Sequence, residues 1–230
     1  MRTLEEIREF YGTQLALGAF ELGAIKLDLK TPFTWTSGYR MPIYNDNRKL
    51  LCDAKYRKLI ADAFSEIIQT LDVEFTNIAG TATAGIPHAT SLADKLQLPL
   101  SYIRSSNKEY GMGHKIEGLG RTKDYNGENV LLIEDLISTG KSSLQAVDAI
   151  RSANGLAPYC LAIFTYGMNE ATVAFENANC IPLTILSYEH MIKIAIETGY
   201  VSKEEGLSLQ DWRVAPTLWG EKNGFPKVVK

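Results

Sequence analysis

An α/β fold built on a doubly wound parallel sheet is what three features of the sequence predict. Apolar runs of strand length recur at Phe75–Ala79, Leu98–Ile103, Val130–Glu134, Tyr159–Thr165 and Ile181–Leu186, with helical apolar spacing between most of them. The run Val130-Leu131-Leu132-Ile133 does not alternate, as a strand buried on both faces requires. Small-residue turns follow several of the runs. Strands alternating with helices make βαβ units, whose binding loops lie at the carboxyl ends of the strands.

In chain order, residues 4–22 place leucine, alanine and aromatic residues at helical spacing, and Gly23 stops that helix. Residues 24–29 read as a short strand. The stretch 31–48 is rich in aromatics and hydroxyls, carries Arg40 and Arg48, and has two prolines that exclude regular helix. It reads as a hairpin over the core edge. Flat rings and guanidinium forks there would also suit a planar anionic ligand. Asp53–Leu71 is an amphipathic helix, and helices follow near Pro87–Leu96, after Gly140 with Leu144, Val147 and Ile150 as its apolar face, and at Glu170–Asn177. From Tyr188 the pattern gives one helix and then a tail punctuated by Gly, Ser and Pro that contains Trp212 and Trp219.

The chain has 230 residues and a net charge of −3, enough for one domain with an accessory part and a sizeable core. Its pI near 5.7 argues against a nucleic-acid binder held by phosphate contacts. No apolar run reaches bilayer length and residues 1–6 do not resemble a signal peptide, so a cytoplasmic protein without a membrane segment is expected. Cys52, Cys160 and Cys180 lack metal-ligand spacing and read as reduced thiols. His88, His114 and His190 are scattered, so no protein-held metal site is expected.

The chemistry concentrates on residues 130–143. Glu134 and Asp135 stand where an apolar strand ends, and Ser138-Thr139-Gly140 forms a tight turn into a helix. Such a turn directs backbone N–H groups and the positive end of a helix dipole at one spot, which suits a phosphate dianion. Two carboxylates beside a phosphate repel it unless hydroxyls or a divalent cation intervene. A ribose phosphate with magnesium meets both demands. Gly140-Lys141-Ser142 is not a P-loop, because Asp135 stands where that motif needs glycine. The structural alternative is an acidic pair that merely caps the helix, a costly use of two carboxylates at a buried strand end.

Two further loops carry candidate chemistry. Gly80–Pro87 lies between strand and helix, and its small residues would let backbone amides approach a phosphate. The connection from Arg104 to Asn129 has no apolar periodicity and contains Arg104, Lys108 and Lys115, as expected of a lid over a pyrophosphate leaving group.

The acidic pair with its Thr-Gly turn resembles the signature of the type I phosphoribosyltransferases. Residues 32–38, 43–48, 80–87, 104–118, 133–140 and 163–166 together resemble the bacterial orotate phosphoribosyltransferases, over about residues 20–200. The resemblance implies transfer of the phosphoribosyl group of phosphoribosyl pyrophosphate (PRPP) to orotate, with Mg2+ as cofactor. It implies a homodimer with shared active sites, without nucleic-acid or membrane partners. It also implies a single domain with a core of about 53–187 and a small hood lobe of about 1–50 plus 188–230.

Residue by residue, the resemblance gives Glu134 and Asp135 the ribose hydroxyls. It gives Leu136, Ile137, Ser138, Thr139, Gly140, Lys141 and Ser142 the 5-phosphate, with Ser138 also touching orotate. Thr81 and Ala82 fall in the pyrophosphate loop. Arg104 and Lys108, from the partner subunit, would stabilise pyrophosphate, with Asp135 completing the catalytic set. Where the family has Lys-x-His-Gly this chain reads Lys108-Glu109-Tyr110-Gly111, so a neutral phenol replaces a pyrophosphate-contacting histidine. Arg40, Arg48 and, less so, Lys26 are the cations available for the orotate carboxylate. A purine or uracil salvage transferase of the same fold, or a non-catalytic sensor of PRPP, are the competing readings.

Overall fold

The computed structural model describes residues 2–35, 37–105, 115–121 and 124–228. The chain opens with α1 (Leu4–Ile7), whose Thr3 and Glu6 form a reciprocal capping box, followed by a π-helical turn at Arg8–Gly12 and α2 (Thr13–Glu21). The wide turn ends at Gly12, where a Cβ would lie 2.9 Å from the Ile185 carbonyl oxygen. Two antiparallel ribbons then replace the expected single hairpin. β1 (Ile25–Leu27) pairs with β4 (Ile43–Asn45), and β2 (Phe33–Thr34) with β3 (Arg40–Met41). A 3-10 turn, Asn47–Cys52, leads to α3 (Ala54–Ile68), capped by the Asp53 side chain on the Lys55 N–H at 2.8 Å.

The core alternates strand and helix: β5 (Asn77–Thr81), α4 (Gly85–Leu96), β6 (Leu100–Ile103), the short β7 (Ile116–Glu117), β8 (Val130–Ile137), α5 (Lys141–Ser152), β9 (Tyr159–Thr165), α6 (Asn169–Asn177) and β10 (Ile181–Ser187). The six-stranded sheet has the order β10-β9-β8-β5-β6-β7. All pairings are parallel except β6 with β7, an antiparallel edge the sequence did not announce.

Side-chain alternation sends Leu131, Ile133 and Ile78 into a core with α3, α4 and the N-terminal helices. It sends Val130, Leu132 and Ala79 into a second core with α5 and α6. Both faces of the sheet are therefore covered, which explains the unbroken apolar run.

The C-terminal stretch is not an irregular tail. It forms α7 (Tyr188–Glu197), α8 (Lys203–Val214) and α9 (Pro216–Lys222). Ser202 and Pro216, which read as breakers, are instead a capping box with Glu205 and a first-turn proline. These helices meet the N-terminal ribbons through aromatics. Trp212 is fully buried, with Nε1 3.1 Å from Met41 Sδ. Trp35 lies with its ring centroid 6.0 Å from that of Trp212 and 5.7 Å from that of Tyr166, just past β9. No helix among the described residues is long and apolar enough to cross a membrane.

Candidate active site

β8 runs three residues beyond Glu134. Leu136 and Ile137, expected in the phosphate loop, are strand residues paired with Phe164 and Thr165 of β9. The turn shrinks to Ser138, Thr139 and Gly140, because Leu136 and Ile137 continue the strand pairing.

Gly140 has φ +80°, and a Cβ on it would approach the Phe175 ring to 2.9 Å, so the turn requires glycine twice over. No side chain caps α5, and the first hydrogen bond of that turn runs from the Leu144 N–H to the Gly140 carbonyl at 2.9 Å. The N–H groups of Lys141, Ser142 and Ser143 therefore have no acceptor within the helix, and they share its positive dipole end. That arrangement binds an anion. Ser138 Oγ lies 4.0 Å from Met168 Sδ.

The two carboxylates are placed differently. Glu134 has the strand parity of Leu132 and is buried; its Oε1 accepts from Thr81 Oγ1 at 2.6 Å, and its Oε2 from Ser143 Oγ at 3.1 Å and Ser142 Oγ at 3.4 Å. Asp135 has the parity of Ile133 and is half-buried. Its backbone carbonyl accepts from Asn47 Nδ2 at 2.8 Å, and the positive charge of Arg48 acts on its carboxylate. Burial is the largest cause raising both carboxyl pKa values. For Asp135, hydrogen bonds from the Glu134 carboxyl and from backbone N–H groups pull back against it.

The second loop leaves β5 at Thr81. Thr81 is buried and its hydroxyl lies 2.6 Å from Glu134 Oε1 and 3.1 Å from the Ile133 carbonyl oxygen, while the Ala82 N–H donates to the Ile103 carbonyl at 2.8 Å. The Ala82–Thr83 peptide is cis, and Thr83 is the exposed residue of the turn. Thr81 and Glu134 are thus brought together directly, a contact the sequence did not suggest.

Of the two hood arginines, Arg48 faces the site, donating to Asp46 at 2.6 Å. Arg40 turns toward the C-terminal helices, its guanidinium 5.8 Å from the Phe225 ring centroid. Lys26 lines a separate cleft with Lys49, Phe33 and Tyr200. Arg104 follows β6; its N–H donates to the Lys115 carbonyl at 2.9 Å, and its guanidinium is 3.7 Å from Glu117. Lys108, Tyr110 and His114 lie outside the described residues.

Asn47 and Ser143 were missed as site residues. A period-2 count from the acidic pair was the available signal, since it turns Glu134 toward the helix that carries Ser143.

Residues 51–173, more than half of the chain, match the phosphoribosyl transferase domain. The orotate phosphoribosyltransferase of Listeria innocua is 43% identical over 90% of this chain and 98% of its own length. That of Bacillus caldolyticus is 43% identical over the same shares. The crystal structure of orotate phosphoribosyltransferase from Aeropyrum pernix superposes with a TM-score of 0.68 at 25% identity, covering 82% of this chain and 99% of that one. Identity sustained across nearly the full length of these relatives, on a matching fold, leads to one assignment: the chain belongs to the orotate phosphoribosyltransferase family.

Proposed function

We propose that the protein transfers the phosphoribosyl group of PRPP to orotate in pyrimidine synthesis, releasing pyrophosphate and forming orotidine 5′-monophosphate. The observation that carries this reading is the β8–α5 turn, where an uncapped helix N-terminus and a left-handed Gly140 stand beside Asp135. The backbone of Ser138–Ser142 holds the 5-phosphate, and Glu134 and Asp135 accept the ribose hydroxyls. The turn after Thr81 and Ala82 receives pyrophosphate. Ser138 touches orotate, and Arg48, the hood cation on the Asp135 side, supports binding of its carboxylate.

Displacing pyrophosphate at the anomeric carbon builds positive character on the ribose and negative charge on the leaving group. Catalysis then rests on electrostatic stabilisation at both ends, and orotate, already an anion, needs no strong base. Arg104 and Lys108, supplied across a homodimer with shared active sites, stabilise the leaving group, with Tyr110 adding one hydrogen bond. The donor set fits a magnesium ion that enters with the substrate. Asp135 would present one carboxylate to it beside the turn. When bound, the ion neutralises charge on pyrophosphate.

The first 50 residues and residues 188–230 act as a hood on the core of 53–187, a division supported by the Trp212–Met41 and Trp35–Trp212 contacts. Free thiols at Cys52, Cys160 and Cys180 suit a cytoplasmic enzyme.

The test is direct. Purified protein with orotate, PRPP and magnesium consumes the ultraviolet absorbance of orotate. Turnover of uracil or a purine instead would make it a salvage transferase, and tight nucleic-acid binding without turnover would make it a regulator.

A further inference from the structure

We propose that the cleft between α6 and the outer edge of β10 is a second binding site, for a small ligand with one anionic group and an apolar body. The cleft holds about 650 Å³, within the size range of small-molecule sites. Ile137, Met168, Ala171, Phe175 and Ile181 give it a largely apolar wall, and Arg8 brings a guanidinium to it from the π-helical turn.

Arg8 supplies the charge. Its side chain is half-buried and spends one N–H on a neutral group, Nε donating to the Thr184 carbonyl at 3.0 Å. Glu9, the next residue, is engaged elsewhere, 3.2 Å from His190 and 3.7 Å from Lys193. Glu176, the acid on the cleft wall, is exposed to solvent. Burial lowers the Arg8 pKa and no carboxylate offsets it, so among the described residues this cation has no acid of its own. A guanidinium in that state keeps its charge and presents a fork that matches an oxyanion. A peptide strand is the other occupant that a sheet edge invites. Here Pro182 has no N–H to offer and the Thr184 carbonyl is already taken, so the edge is blunted.

The inner wall of the cleft is also the back of the β8–α5 turn. Phe175 is buried, and its ring lies 2.9 Å from where a Cβ on Gly140 would stand. Met168 Sδ lies 4.0 Å from Ser138 Oγ. An occupant packed on these two side chains holds that wall in place, so less ordering is left for a phosphate entering the turn. Filling the cleft therefore tightens phosphate binding, and by linkage phosphate tightens the cleft ligand equally. This coupling rests on the reading of the turn as the phosphate site; the cleft site itself does not.

The probe is anilinonaphthalene sulfonate, an aromatic monoanion whose fluorescence rises as it leaves water, titrated into the full chain. One saturable site is expected. Arg8→Gln weakens it about tenfold, the scale of a hydrogen bond to a charged group. Arg8→Lys, which keeps the charge, holds it within about threefold. Thr172→Trp, which adds bulk on the exposed wall of the cleft, abolishes it. All three variants keep orotate turnover in the absence of probe. With the probe bound, ribose 5-phosphate binds about fivefold more tightly by calorimetry.

A titration that Arg8→Gln and Thr172→Trp leave unchanged overturns the site, and so does one that ribose 5-phosphate or orotate displaces. If Arg8→Gln does not fold, Thr172→Trp decides. Probe binding as expected with ribose 5-phosphate affinity unmoved upholds the site and overturns the coupling. A wild type that binds the probe but no ribose 5-phosphate removes the phosphate-turn reading and upholds the cleft.

Discussion

The β5–α4 and β8–α5 turns look alike in sequence, since each runs from a buried strand through small residues into a helix. Their geometries differ. The β8 turn is open, with a left-handed Gly140, no side-chain cap and a half-buried aspartate at its edge. The β5 turn is wedged: its threonine bonds Glu134 and the Ile133 carbonyl, and Gly85 is pressed against that same carbonyl. The difference teaches that a glycine beside a strand-to-helix turn can serve backbone conformation in one case and pure proximity in the other.

Substitution should separate the two. Gly85→Ala puts a methyl against a backbone oxygen that cannot swing away, so destabilisation of about 3 kcal/mol is expected by denaturant unfolding. Gly140→Ala meets only the edge of the Phe175 ring and carries a left-handed backbone, so about 1–2 kcal/mol is expected. Equal losses at both positions would erase the contrast.

The wedged turn also carries a pH signature. His88, one helical turn into α4, is buried and its pKa is pushed down to about 4 by desolvation. An unfolded histidine takes its proton near the ordinary value of about 6.5, whereas the folded one resists until about 4. Stability from this residue is therefore complete above pH 6.5 and lost as pH falls toward 4, by roughly 2–3 kcal/mol. Unfolding of His88→Gln measured across that window should lack this part of the slope.

At the open turn, Asp135→Asn keeps shape and removes charge, and should raise the KM for PRPP about 10- to 100-fold, the range for hydrogen bonds to a charged group. Unchanged kinetics would remove Asp135 from the ribose site. The smallest effect is expected at Tyr110→His, which restores the family's residue and should leave kcat equal or modestly higher. A large loss would mean that the phenol has its own part in this enzyme.

Much of this was legible in the sequence, for physical reasons that differ by element. The β9 strand was read at its observed bounds, because Tyr159–Thr165 is apolar and flanked by turn residues. β8 was read three residues short. Two charges interrupt its apolar run, but backbone pairing to Phe164 and Thr165 continues through them.

Ser202 and Pro216 were read as breakers, since one residue type both stops and starts helices, and only the following turn tells which. The acidic pair was visible at once. Its division into a buried Glu134 and a half-buried Asp135 was not, because that depends on Thr81 and Ser143, residues 53 and 9 positions away.

The packing of Trp35 between Tyr166 and Trp212 gives the molecule a built-in optical gauge. An indole whose neighbours belong to the N-terminal ribbon, the end of β9 and a C-terminal helix changes its emission whenever those three parts shift against one another, so their movement can be followed without any attached dye.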